Sequence, residues 1–398
     1  MWRLVIIVSL AWISLLWRPL AQAQTESGPT VITLGYLELA NDPRYVEEQM
    51  EARFQAQPWG RPYPGAKQAL KEIRFAAAAA NVKIDLRRYG AKDQADLDQT
   101  LKSWMDEGIH FVLLDLPGNA VSALTRQAAG QDTLLFNLSS RDPSLRQQSC
   151  ASALLHVIPD QSMLMDGLAQ YLISKKWREV LVLKGPSEDD AQQYAAFERS
   201  ARRFGLKIVE TRPFKLGRDP RNRTRNNIAL LTSGEDYDVV FVADTQGEFA
   251  RSVPYQIQQP RPVVGGAGLV SEGWSWAWAR YGAPQLNKRF LRKIKRRMTE
   301  FDWAAWIAVK IIGEAVLRTG SSEFTELERY IKGDDIVIDG FKGVPLSFQD
   351  WNGQLRQPVF LTTTNWVIAT APLAGFLNRS NNLDTIGLDA TETQCEMK

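Results

Sequence analysis

Cysteine and histidine are nearly absent: 398 residues hold two of each, Cys150, Cys395, His110 and His156. No Cys-x-x-Cys pair or Cys/His cluster can be written from them, which leaves a zinc site or a histidine-based triad almost nothing to be built from. A surplus of one charge is missing too. Lys+Arg 48 against Asp+Glu 45 gives +3, and two of the positive charges, Arg3 and Arg18, fall in a segment expected to be removed. The rest is nearly neutral, without the field that would gather nucleic acid or an anionic membrane. There is no GxSxG, HExxH or EF-hand pattern, and no repeat of fixed period, which excludes a solenoid. The nearest approach to a phosphate-binding loop, Gly60 to Lys67 (GRPYPGAK), lacks the contiguous Gly-Lys-Ser/Thr, and its two prolines remove backbone donors such a loop needs.

Long apolar runs are scarce as well. One stands at the N-terminus, Leu4 to Trp17, preceded by Arg3, broken at Arg18-Pro19 and followed by Ala21-Gln22-Ala23. This is the pattern of a secretory signal peptide over residues 1–23, and it falls short of the ~20 apolar residues of a spanning helix. With no cysteine near the cleavage point to take a lipid, a soluble exported chain starting near Gln24 is expected. In an oxidising compartment an even cysteine count invites a Cys150–Cys395 disulfide, two unrelated thiols being the alternative.

What the chain has in quantity is alternation of strand and helix. Val31 to Tyr36 is a β-rich run, followed by a polar, proline-studded loop through Pro64. Helical periodicity covers Ala66 to Ala80, and Val82 to Leu86 alternates as a strand. Then come helix Asp93 to Glu107, strand Phe111 to Leu114, helix Asn119 to Ala129, strand Thr133 to Phe136 and strand Leu154 to Ile158. A second series starts after Pro159: helix Gln161 to Lys175, strand Val180 to Leu183, helix Ala191 to Phe204, strand Lys207 to Val209, a basic loop with a helix, and strand Val239 to Val242. Short apolar strands alternating with helices predict βαβ units and mostly parallel sheets. Two series predict two doubly wound, Rossmann-like lobes. Gly265-Gly266-Ala267-Gly268 reads as a bend between them, and His156 as a packed core residue. Gly273 to Trp278 (GWSWAW) alternates at period two and predicts an extended segment. Lys288 to Arg297 reads as an amphipathic helix with a solvated basic face. Helices Trp303 to Arg318 and Phe324 to Ile331 follow, and Asn352-Gly353 marks a hairpin between closing strands.

In open parallel sheets a ligand sits beyond the carboxyl ends of the strands. Those ends offer Glu38, then Asp115 and Asn119, then Ser139, Ser140, Arg141 and Asp142 in the first series. The second offers Glu188, Asp189 and Asp190, then Asp244, Thr245 and Glu248. Each carboxylate could simply cap a helix N-terminus; as a set they describe a polar, rather acidic cleft, with Trp274 and Trp303 as candidate apolar walls.

The order of elements resembles the type I periplasmic binding proteins of ABC importers, in particular the branched-chain amino acid receptors. Pro64 to Leu70 (PGAKQAL) is similar to that family's first helix. Asp302-Trp303-Ala304-Ala305-Trp306 through Gly313 is similar to its late helix. Thr325 to Tyr330, Asp339-Gly340-Phe341-Lys342-Gly343 and Phe348 to Gly353 are similar to its closing segment. Trp274 to Trp278 with Tyr281 to Asn287 resembles a subgroup associated with pyrroloquinoline quinone (PQQ)-dependent alcohol oxidation. The resemblance implies two Rossmann-like α/β lobes joined by a multi-strand hinge, with lobe 1 over 24–158 and 267–338 and lobe 2 over 159–266. Closing strands of lobe 2 and the hinge would span 339–375, and a tail 376–398. It implies a periplasmic monomer without enzymatic activity or cofactor, which takes a small polar solute to a membrane permease. Ser139 and Ser140 stand roughly where the family holds an amino acid's carboxylate with hydroxyl and backbone groups. Arg141 replaces a small residue, Asp189 stands where a stacking aromatic is expected, and Gly266-Ala267-Gly268 where an acidic partner for the ammonium is expected. These departures count against an α-amino acid ligand. Two alternatives follow: a receptor for a hard metal ion such as Ca²⁺ or a lanthanide, or its chelate, on Glu38, Asp115, Asp189, Asp190 and Asp244, and an enzyme or accessory factor of quinoprotein maturation.

Overall fold

The computed structural model describes residues 28–46, 59–216 and 226–397. The expected signal peptide and the basic loop at 217–225 therefore lie outside the described residues.

The first sheet is parallel, in the order β2 (Val82–Ala91), β1 (Thr30–Leu39), β3 (Phe111–Asp115), β4 (Leu134–Asn137), β5 (Leu154–His156). Its registers pair Glu38 with both Gly90 and Asp115, so β1 ends level with its two neighbours. Crossover helices α1 (Tyr63–Ala79), α2 (Gln94–Asp106) and α3 (Gly118–Ala128) cover its faces. Helix α1 begins three residues before the expected Ala66, because Pro62 and Pro64 sit at its start, where a missing N–H costs nothing. The apolar runs of the strands are buried on both faces, as a parallel sheet between helices requires.

The second sheet is also parallel: β7 (Lys207–Pro213), β6 (Glu179–Lys184), β8 (Val239–Ala243), β9 (Val263–Gly265). It packs with α4 (Gln161–Ser174) and α5 (Glu188–Phe204), Phe197 of α5 stacking on Phe241 of β8 at 3.8 Å. A capping box of Ser187 and Asp190 starts α5, and Gly205 in the left-handed region ends it. The helix expected after the basic loop is a single turn, Ile228–Leu231.

After β9 the chain turns at the glycine cluster into β10 (Val270–Glu272). This strand forms an antiparallel sheet with β14 (Val359–Thr363) and β15 (Trp366–Ala371), packed on α4. The period-two tryptophans are not a strand. Trp274 and Trp278 are anchored in turns instead, their indole N–H groups donating to Asn287 Oδ1 and the Phe341 carbonyl, while Arg297 lies 3.2 Å above the Trp276 ring. Helix α6 (Ala283–Ile294), helix α7 (Glu300–Thr319) and helix α8 (Phe324–Lys332) return to the first lobe. Helix α7 is buried almost all round. It approaches α1 so closely that a Cβ on Gly65 would collide with the Asp302 carbonyl. Strands β11 (Ile338–Asp339), β12 (Pro345–Phe348) and β13 (Leu355–Arg356) form the hairpin sheet around Asn352-Gly353.

Three segments cross between the lobes: Val157–Asp160, the stretch at Gly273 that follows β10, and Gln357–Pro358. They are tied together. Gln357 Nε2 donates to the Val157 carbonyl at 2.6 Å, and Lys342 Nζ donates to Gln357 Oε1, the Pro358 carbonyl and the Gly273 carbonyl. His156 is fully buried beside them, between Asn137 and the Leu145 carbonyl. Burial, first, and the nearby Arg146 charge keep it neutral. A disulfide joins Cys150 to Cys395.

Candidate ligand site at the strand ends

The strand order of the first sheet reverses between β1 and β3, the switch point at which an open parallel sheet leaves a crevice. The side chains gathered there are mostly charged. Asp115, the last residue of β3, is fully buried and accepts hydrogen bonds from Tyr45 Oη at 2.8 Å and Arg44 Nη2 at 3.3 Å. Tyr36 Oη, from β1, points to its other oxygen at 3.4 Å. Arg44 also donates to both oxygens of buried Asp42 and to Ser139 Oγ at 2.9 Å. Glu38 takes Arg88 Nη2 at 2.5 Å and faces Arg61 Nη1 at 3.2 Å. Arg61 in turn lies 4.9 Å from the Tyr45 ring centre, and Arg88 4.5 Å from that of Tyr63. Burial raises the Asp115 pKa, opposed by the Arg44 charge and by hydrogen bonds from Ser139 and Tyr45. Burial works against the charge on Arg44, yet its Asp42 hydrogen bond and the Asp115 charge hold its pKa above the ordinary value.

Of the residues expected at this rim, Glu38, Asp115 and Ser139 belong to this cluster. Ser140 lies beside it, its N–H bonded to Asn137 Oδ1 at 2.9 Å. Asn119 is exposed on the first turn of α3. Arg141 is held elsewhere, 2.5 Å from Glu300 and 3.1 Å from the Pro159 carbonyl, where it links the rim to a crossover segment. Asp42, Arg44, Tyr45, Arg61 and Arg88 were not expected from the sequence. They come from a loop and from the solvent side of a strand, where no periodicity marks a residue.

The second rim is organised differently. Asp190 is buried and accepts from Ser187 N, Thr245 N and Thr245 Oγ1. Asp244 is buried and accepts backbone N–H bonds from Gly247, Phe249 and Ala250. Both carboxylates shape their own loops, the capping role open to any such residue. Glu188 and Asp189 are exposed in the first turn of α5. Trp274 and Trp303 stack on each other at 5.8 Å, both buried in the main core. The five carboxylates considered for a metal are thus divided between separate hydrogen-bonded sets. Among the described residues no group of three or more His, Cys, Asp or Glu side chains is placed to hold a metal ion.

A second polar cluster lies at the crossovers. Glu272 on β10 lies near the Thr362 and Ser275 side chains. Its pKa is pushed up to about 8 by burial and then by the charge of Glu300. Buried Lys342 sits 3.8 Å from the Trp303 ring centre, and burial lowers its pKa well below the ordinary value. Lys342 stands in the Asp339–Gly343 motif, but nothing in the sequence announces that it is buried.

The profile of the family described as "Periplasmic binding protein" matches residues 55–254, half of the chain. The chain belongs to the periplasmic binding protein family. No curated protein matches it. Among solved structures it is similar to a branched-chain amino acid ABC transporter periplasmic ligand-binding protein from Burkholderia xenovorans, with TM-score 0.71 and 13% identity, over 92% of this chain and 99% of that one. A leucine-, isoleucine-, valine-, threonine- and alanine-binding protein from Brucella ovis, in closed conformation, gives TM-score 0.66 and 12% identity over 92% and 99%. A solute-binding protein of an ABC transporter from Rhodopseudomonas palustris, in complex with 3,4-dihydroxybenzoic acid, gives TM-score 0.60 and 11% identity over 84% and 93%. Likeness at these identities establishes the fold: two α/β lobes of this periplasmic binding protein, each with a parallel sheet. No helix among its described residues is long and apolar enough to cross a membrane.

Proposed function

We propose that this periplasmic binding protein is the receptor of an ABC import system, which captures a small polar solute between its lobes and delivers it to a membrane permease. The observation that carries this reading is the architecture: two parallel sheets with polar rims at their strand ends, joined by three crossover segments. Such a pair of lobes can close by hinge motion, and a ligand touching both rims favours the closed form by its differential affinity. We place the solute against Asp115 and Ser139 on the first rim and Asp189 on the second.

A link to PQQ-dependent alcohol oxidation rests on residues 274–287 alone, and their tryptophans are engaged in packing and turns. Among the described residues no assembled carboxylate set favours a metal or chelate cargo. An accessory enzyme would need an acid/base pair at a ligand site, whereas the raised Glu272 lies among the crossover strands.

Native mass spectrometry of protein released gently from its own periplasm, with elemental analysis of the same sample, tests the reading. The expected result is a bound organic mass lost on mild denaturation. The double variant Asp115→Asn, Asp189→Asn should keep its fold by circular dichroism and lose the rise in melting temperature that this solute causes. A stoichiometric metal without an organic ligand would overturn the solute reading, and an unchanged rise would overturn the placement.

A further inference from the structure

Resting on the receptor reading, we propose that the first rim receives the cationic end of its solute, a guanidinium, amidinium or primary ammonium group, and that Arg44 of the same chain occupies that position as an internal competitor. The argument starts from what the rim has left to offer. An anionic end group would need free N–H donors, and those at the end of β4 are engaged: Ser139 N and Ser140 N both donate to Asn137 Oδ1, at 3.3 and 2.9 Å. The N-terminus of α3 is no more open. A Cβ on Gly118, its first residue, would collide with the Asp142 carboxylate, so a negative group of the chain already lies there. Asp115 itself, buried at the switch point, repels a carboxylate.

The acceptors are engaged too, but by a partner that can leave. Asp42, Asp115 and Ser139 Oγ converge on one guanidinium, and it comes from a surface loop rather than from the core. The Arg44 side chain keeps 33% of its surface exposed, whereas the two carboxylates it pairs with keep 1% and 0%. A cation from solution can therefore exchange with Arg44 without any core residue moving. If Arg44 swings out unreplaced, two buried carboxylates lose their cation, which is costly. A ligand that brings its own cation removes that cost, and the planar fork of a guanidinium matches a carboxylate best. Exposed Glu188 and Asp189 on the second rim add negative charge of the same use.

Isothermal titration calorimetry with agmatine and putrescine as cationic probes, and propionate and isoleucine as carboxylate probes, tests this. Arg44→Ala should bind agmatine at least tenfold more tightly than the wild type. Arg44→Gln, which keeps bulk and hydrogen bonds but no charge, should do the same, and guards against an Ala variant that fails to fold. Adding Asp115→Asn to either should remove the gain. Equal or weaker agmatine binding in folded Arg44 variants, or a gain for propionate instead, would overturn the proposal. A tightly held native solute without a cationic group would also overturn it while leaving the receptor reading intact; an empty protein with no gain in the Arg44 variants would count against both.

Discussion

Single side chains decide the chemistry of the rims and of the crossover strands. Asn137 is fully buried and serves four groups on three neighbours: it accepts from Ser139 N and Ser140 N, donates to the Ser140 carbonyl at 2.8 Å, and meets His156 Nδ1 at 3.0 Å. Asn137→Ala would strand these groups in the interior, at a cost of about 2–4 kcal/mol, read as a fall in the urea midpoint; a loss below about 0.5 kcal/mol would mean that water replaces the amide. Glu272 makes a pH prediction. Its carboxyl is pushed up to about 8 in the folded chain, against an unfolded value near 4.3. Between the two, the folded state holds a proton that the unfolded chain has released, so stability falls as pH rises through this window and levels off above it. The groups facing Glu272 are Glu300, Arg141 and Lys342, with the Thr362 and Ser275 side chains nearby. Buried Asp115, Asp166 and Asp302 have raised pKa values as well and add slopes of the same sign. The comparison of wild type with Glu272→Gln isolates one contribution: urea midpoints at pH 5, 6.5 and 8 should decline less steeply in the variant. Identical slopes would sink the assignment.

At the scale of elements, the contact between α1 and α7 is the tightest joint of the first lobe, and two glycines set it. A Cβ at Gly65 would run into backbone, the Asp302 carbonyl, whereas at Gly313 it would meet the Ile73 side chain at 2.8 Å. Backbone cannot step aside without moving a helix, while a side chain can change rotamer. Gly65→Ala should therefore cost about 2–3 kcal/mol or more and Gly313→Ala about 1–2, an order that denaturant titration checks. The opposite order would place the rigid point elsewhere. These elements were legible because their signals are local: the apolar four-residue strands and the Asn352-Gly353 hairpin each specify backbone within a few residues. GWSWAW misled because period two can also arise from three tryptophans each anchored by a different distant partner. At the site, Glu38, Asp115 and Ser139 were legible as strand-end residues, a consequence of topology. The Arg44 contact was not, since it joins a loop to a strand end 71 residues away, and no pattern in a loop records where it will fold back.

For the whole molecule, the C-terminal tail is a fourth connection between the lobes, besides the three crossovers. It first docks on the second lobe: Gly387 N donates to buried Asp166, which also receives Arg199 and Arg203 from α5, and Ile386 enters that lobe's core. On its other side Asp384 takes Arg356 and Gln349 from the hairpin sheet, and the Trp351 indole donates to the Leu388 carbonyl. The last residues reach the first lobe, where Thr393 Oγ1 donates to the Arg146 carbonyl, Gln394 N donates to Gln147 Oε1, and Cys395 is bonded to Cys150. A strap anchored on both lobes limits how far they can part, because opening must break the Asp166 contacts or those of the hairpin. The disulfide prevents the alternative, in which the strap peels away from its free end. It closes a loop with a sequence separation of 245, worth up to about 5 kcal/mol in the chain-entropy picture. Two effects of the double variant Cys150→Ser, Cys395→Ser should then be separable. The thermal midpoint falls, and residues 384–397 lose amide-exchange protection together with a widening of the inter-lobe distance distribution, read by spin labels on Asn119 and Asp189, both exposed. If the midpoint falls while the distance distribution stays as in the wild type, the bridge stabilises the chain without restraining the hinge, and the strap would be refuted. A widening that tracks the loss of tail protection would make the tail the element that sets how far the two lobes can part.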